Sequence, residues 1–211
     1  LPLTVPRDNS LGVVGMIIGA MMASGNGASA ITYQNDSDLL FTINPSITLS
    51  VSGDLSINDL APNTASDSNI ITITAGSNST LGYTLYTNVG DSTNAWTDLK
   101  LNGTDSTNKF CCLSSAVSTL DAIGASKWGY SYCDATSSPT NCDNTNNWVY
   151  GSAGSTATGY GIMPQYNSTT HANDIKLADA NSSSETTINF KIGAKAADTQ
   201  ATGTYTNVIN F

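Results

Sequence analysis

Positive charge is scarce in this sequence: seven Lys and Arg residues stand against 16 acidic ones in 211, a net charge of −9. A chain so poor in cations cannot build the phosphate-neutralising surface that nucleic acid requires. It also lacks the polybasic stretch that holds a protein to an anionic membrane. Nucleic acid is thereby excluded as a partner. Histidine is nearly absent too, with only His171, in the polar run Asn167 to Asn173. No G-x-S-x-G surrounds any serine, so a nucleophile would have no base and no elbow to sit on. Glu185 is the single glutamate, which rules out a glycosidase built on two glutamates. The aspartates stand mostly in turn contexts such as Gly53-Asp54 and Gly90-Asp91, where the side chain caps backbone groups. Zinc finds no C-x-x-C pair. Two acidic loops, Asn35 to Asp38 and Asp143 to Asn147, lack the D-x-[DN]-x-[DN]-G order of a calcium loop and read as turns. The sequence therefore predicts no enzyme, no metal and no cofactor.

What the chain has in place of charge is short polar side chains. Charged residues make up 11%, well under the usual quarter or so. Ser, Thr and Asn supply roughly a third of the residues. These suit solvent-facing strand positions and turns, and they compete with the helical backbone. Sequons at Asn35, Asn78, Asn102, Asn167 and Asn181 follow from that composition, and glycans there would suit a surface protein.

Four cysteines, Cys111, Cys112, Cys133 and Cys142, fit an oxidising extracellular setting. Cys133 and Cys142 flank a turn-rich loop and could close it directly. Adjacent Cys111 and Cys112 rarely bond to each other, because disulfide geometry strains a neighbouring pair. The expectation is that one or both reach into the 133–142 loop and that no thiol stays free. The exact pairing is open at this point.

One long apolar run exists, Leu11 to Ala23, followed by Ser24 to Ala30 with an Ala28-Ser29-Ala30 ending. Thirteen residues are too few to span a bilayer, which takes about 20. One reading is a secretory signal peptide, touching a membrane only during export. The other is a retained assembly segment, short and helical, with Gly12, Gly15 and Gly19 as a small-residue ridge. Val13, Met16, Ile17, Ile18, Met21 and Met22 would then be its contact residues. We favour the second reading, with residues 1–30 as the segment and 31–211 as the body.

From Ile31 onward the period is two. Ile47, Leu49 and Val51 alternate with Thr48 and Ser50, and Ile188, Phe190 and Ile192 repeat the pattern near the far end. Turn signals at Gly53-Asp54, Ala61-Pro62-Asn63, Asp67-Ser68-Asn69 and Gly76 to Ser79 separate such runs, which predicts an antiparallel β-sandwich. The stretch from about 87 to 185 differs: it holds every Trp, every Cys and the one helical pattern, Leu113 to Ile123, with Leu113, Val117 and Leu120 on one face. It reads as a long elaboration between two strands, stapled by cysteines. Trp128 is expected in the core, and Trp96, Trp128 and Trp148 are the residues that could line a sugar-binding face.

Several blocks together resemble a known domain type. Ile47 to Asn58, Asp67 to Thr74 and Gly82 to Leu85 are followed in order by Trp128-Gly-Tyr-Ser131, Tyr160-Gly-Ile-Met-Pro164, Thr187 to Lys195 and Gly203 to Asn207. This series resembles the Ig-like surface domains abundant in secreted proteins of candidate-phyla bacteria such as the Saccharibacteria. The resemblance covers residues 47–211 and implies an Ig-like sandwich at the cell surface, without an established chemistry.

Two functions are weighed against an enzyme, which ranks lowest. The first is a structural subunit of an extracellular, pilus-like filament, its partner being further copies of itself. The second is a monomeric adhesin that recognises glycan or a host protein.

Overall fold

Alternating Ile, Thr and Tyr positions build eleven strands among the residues described by the structure, a computed structural model covering 44, 46–90, 97–136, 142, 148–167, 170 and 173–211. In chain order these are β1 (Ile47–Val51), β2 (Ala65–Asp67), β3 (Ile71–Ser77), β4 (Tyr83–Val89), β5 (Leu99–Leu101) and β6 (Asp105–Cys112). They continue as β7 (Lys127–Asp134), β8 (Ile175–Ala180), β9 (Ser184–Lys195), β10 (Tyr205–Thr206) and β11 (Ile209–Asn210). The larger sheet runs β1-β3-β9-β7-β6-β5-β10, with β2 beside the end of β9. The smaller runs β11-β4-β8. Every pair is antiparallel except β6 and β7.

The core lies between the sheets. Ile71, Ile73 and Ala75 of β3, Trp128, Tyr130 and Tyr132 of β7, and Ile188, Phe190 and Ile192 of β9 are buried on one face of the large sheet. Register puts them side by side: Ile73 stands opposite Ile188, and Tyr132 opposite Phe190. Leu85, Val89 and Leu177 close the layer from the small sheet. Aromatic rings extend it, with Phe190 edge-on to Phe211 at 5.3 Å.

Two of the connections between the sheets lie together. The turn after β3 leads into β4, and residues 181–183 lead from β8 into β9. Because Ser77 pairs with Ser184 and Tyr83 with Ala180, both arches close at the same end and stack. Gly82 permits this: its φ is +71°, and a Cβ there would collide with the Ala180 carbonyl.

The opposite face of β7 and β9 is covered as well, by Leu113–Ile123 and by the chain around Tyr150 to Gly161. Gly129 and Gly193 leave flat windows there. A Cβ at Gly193 would stand 2.7 Å from a Tyr160 ring carbon and 2.8 Å from Leu120 Cδ1. Leu113, Ile123 and Tyr160 form a second small core, with Val117 and Leu120 against it.

The helix expected over Leu113–Ile123 is not formed; only Leu120–Ala122 make one 3₁₀ turn. The Leu113 amide donates to the Trp128 carbonyl, and Val117 exchanges backbone hydrogen bonds with Tyr160. Those distant partners, in a stretch whose Ser and Thr residues are weak helix formers, outcompete i→i−4 bonding. The apolar residues still share a face, but by packing on the sheet. The segment read as an elaboration supplies β5, β6, β7 and β8, and β7 is a central strand of the large sheet.

The all-β class holds, with no α-helix among the described residues. The partition of eight strands against three, with one parallel pair, differs from the four-plus-three antiparallel sheets of an immunoglobulin constant domain.

Candidate functional site

The cysteines separate into two kinds. Cys133, at the end of β7, is bonded to Cys142 across the loop (Cα–Cα 5.6 Å), and both lie buried with Trp148. Cys111 and Cys112 are free thiols, contrary to the expected four-cysteine framework. The register explains it. Cys112 stands opposite Trp128, and Cys133 is five residues further along β7, roughly 16 Å away at the rise of a strand. A disulfide needs Cα atoms within about 7 Å. Neighbours on a strand also face opposite sides, so Cys112 packs toward the main core while Cys111 turns away. Burial pushes the Cys111 thiol up, and the nearby Asp98 carboxylate adds to the shift.

Beyond the disulfide, one polar cluster joins the covering segment to the sheet. Asp67 and Lys191, on neighbouring strands, form an ion pair at 2.8 Å. The Tyr160 hydroxyl donates to the other oxygen of Asp67. The Lys191 ammonium lies 4.5 Å from the Trp148 ring centroid and 5.6 Å from that of Tyr160. Burial, followed by the hydrogen bond to Asp67, raises the Tyr160 pKa far above the ordinary phenol range. Every charge and donor in this cluster has a partner, so it clamps the segment and leaves no reactive group idle. Among the described residues no group of His, Cys, Asp and Glu is placed to hold a metal.

A surface feature that is not self-satisfied lies at the β1 edge. Ile47, Leu49 and Val51 point to the same face as buried Ile73 and Ala75, with which Val51 and Leu49 pair in register. The small sheet does not reach that far, and the three remain 70%, 48% and 42% exposed. An open groove of about 480 Å³ follows, lined by Ile47, Leu49, Ala75, Leu85, Tyr86 and Phe211 among others. The other edge of β1 pairs with no strand among the described residues. Proteins usually blunt such an edge with Lys, Pro or a bulge. β1, Ile-Thr-Leu-Ser-Val, has none of these.

The remaining expected residues distribute as follows. Gly12, Val13, Gly15, Met16, Ile17, Ile18, Gly19, Met21 and Met22 lie outside the described residues, as do His171, Trp96 and both acidic loops. Trp128 is in the core as expected, its indole N–H donating to the Thr97 carbonyl at 2.8 Å. Trp148 is buried beneath Lys191. Neither described indole is open to a sugar. The sequons at Asn78, Asn102, Asn167 and Asn181 are exposed. The β1 pattern was legible in the sequence as a half-buried strand, but its lack of cover was not. No family model matches the chain, and no curated protein or solved structure is significantly similar to it. Among the described residues, no helix is long and apolar enough to cross a membrane.

Proposed function

We propose that this protein is a structural subunit of an extracellular, pilus-like surface polymer made of its own copies. The observation that carries the reading is the uncovered apolar row of β1 beside a strand edge that pairs with no other strand among the described residues. The exposed remainder of Ile47, Leu49 and Val51 equals roughly one and a half side chains, worth about 2–5 kcal/mol if removed from water. The run Leu11 to Ala23 adds several more apolar side chains, for a gross drive on the order of 10 kcal/mol. The entropy lost when a segment is ordered on binding offsets part of that. A head-to-tail contact of this type is heterologous, and it extends into an open filament when it does not close into a ring.

The buried Cys133–Cys142 bond and the exposed sequons accord with an oxidising, extracellular location. So does the resemblance to bacterial Ig-like surface domains. The adhesin reading draws less support, because Trp128 and Trp148 are both buried.

Negative-stain microscopy of the full chain tests the proposal. Filaments are expected from it, and a folded monomer from a chain lacking residues 1–30. A full chain that stays monomeric, or a mature protein beginning at Ile31, removes the assembly reading and leaves the segment as an export signal.

A further inference from the structure

The assembly reading names copies of the chain as partners but not how they join. The β1 edge supplies that detail. The Ser52 amide donates to the Thr72 carbonyl at 2.9 Å, so the even-numbered residues of the β1 strand turn their backbone groups toward β3. By the alternation of an antiparallel ladder, the N–H and C=O groups of Ile47, Leu49 and Val51 point to the free edge. The side chains of Ile47 and Leu49 meanwhile line the groove. An incoming strand would find backbone partners along the edge and an apolar floor beside it, the two requirements of strand addition.

The apolar run has the matching pattern. Read at period two, Val14, Met16, Ile18, Ala20 and Met22 form one row that is free of glycine after Gly12, while Gly15 and Gly19 fall in the other with Val13, Ile17 and Met21. The first row can lie on the groove floor, and Gly15 and Gly19 interrupt the apolar second row where it faces outward. The tether between Ala23 and β1 is rich in Gly, Asn and Ser. A flexible linker of that length would average about 25–30 Å end to end. That is close to the dimension of a body this size, with a radius of gyration of about 15 Å, so a donor can reach the next copy.

Resting on the assembly reading, we infer that the groove beside β1 is the acceptor for residues 11–23 of a second copy, inserted in extended form along the free β1 edge.

Two full-length variants test this by complementation, read by sedimentation velocity with circular dichroism as the check on folding. Leu49→Asp spoils the acceptor, and Ile47→Asp, at the more exposed position, serves if Leu49→Asp disturbs the fold. Ile18→Asp spoils the donor. Each alone is expected to stay monomeric where the unaltered chain polymerises. Their equimolar mixture is expected to form one-to-one dimers and nothing larger, since only one compatible contact remains. Ile18→Asp is also expected to raise the critical concentration at least tenfold more than Gly19→Asp does. The inference is overturned if both acceptor variants polymerise like the parent, or if the mixture stays monomeric because the run fills its own groove. It is also overturned if Gly19→Asp is the more damaging change, which would mark helical packing on the glycine ridge. In each of these cases the unaltered chain still polymerises and assembly stands. A monomeric unaltered chain sinks the assembly reading itself.

Discussion

Leu49 stands directly opposite Ala75 in the β1–β3 ladder, on the same face of the sheet, yet Ala75 is 3% exposed and Leu49 48%. One strand spacing, about 4.8 Å, separates the sealed core from its open border. The small sheet ends between them. An apolar side chain left at such a border is a contact in waiting, and the predictions below begin from what holds the rest closed.

Counting thiols checks the cysteine arrangement. Under denaturing, non-reducing conditions two thiols per chain are expected to react, those of Cys111 and Cys112. In the native protein Cys111 is expected to react slowly, because burial disfavours its thiolate. Zero reactive thiols would mean that the pair is oxidised. Reduction of Cys133–Cys142 opens a loop with a sequence separation of nine, which a chain-entropy estimate values at about 2–3 kcal/mol.

Gly193 is where the covering segment meets the sheet. Gly193→Val puts side-chain atoms against Tyr160, Leu120 and Ile123, all within 3.0 Å of the added Cβ. Overpacking of this kind costs about 1–3 kcal/mol. Urea denaturation should show a lowered midpoint. Exposure of Leu113–Ile123 to protease should rise, while β3 and β4 stay protected. An unchanged midpoint would mean that the segment does not rest on this window.

Alkali should unfold the protein through its tyrosines. Burial pushes the Tyr130 phenol up to about 12 and the Tyr132 phenol to about 12 from an ordinary value of 10.0, and Tyr160 higher still. The Tyr132 hydroxyl is also buried without a hydrogen-bond partner. Below pH 10 folded and unfolded chains both hold these protons, and stability is level. Between about 10 and 12 the unfolded chain releases them while the folded chain does not, so stability falls as pH rises. Absorbance at 295 nm and circular dichroism should therefore change together in this range for the buried tyrosines. Full ionisation with the fold intact would contradict the burial.

How much of this was legible in the sequence depends on where the information sits. Period-two runs such as Ile188-Asn-Phe-Lys-Ile192 carry their own signal and became β9. The Leu113, Val117, Leu120 spacing is equally compatible with a helix face or with an irregular chain pinned on a sheet. Long-range bonds from Trp128 and Tyr160 decided it, and no local pattern encodes them. Cysteine spacing allowed Cys133–Cys142 directly, whereas the isolation of Cys111 and Cys112 follows from a parallel register that no composition reveals. The open edge was the least legible feature. β1 reads as an ordinary half-buried strand, and its exposure results from where a different sheet happens to stop.

Amide hydrogen exchange across β1 tests the central claim most directly. The full chain is measured assembled and as dispersed monomer under otherwise equal conditions. The account predicts that the amides of Ile47, Leu49 and Val51 exchange slower by about a hundredfold or more on assembly, as edge groups gain partners. It predicts no comparable change at Ile73 or Ile188, which are already buried. Assembled material in which the β1 amides exchange as fast as in the monomer would contradict the account.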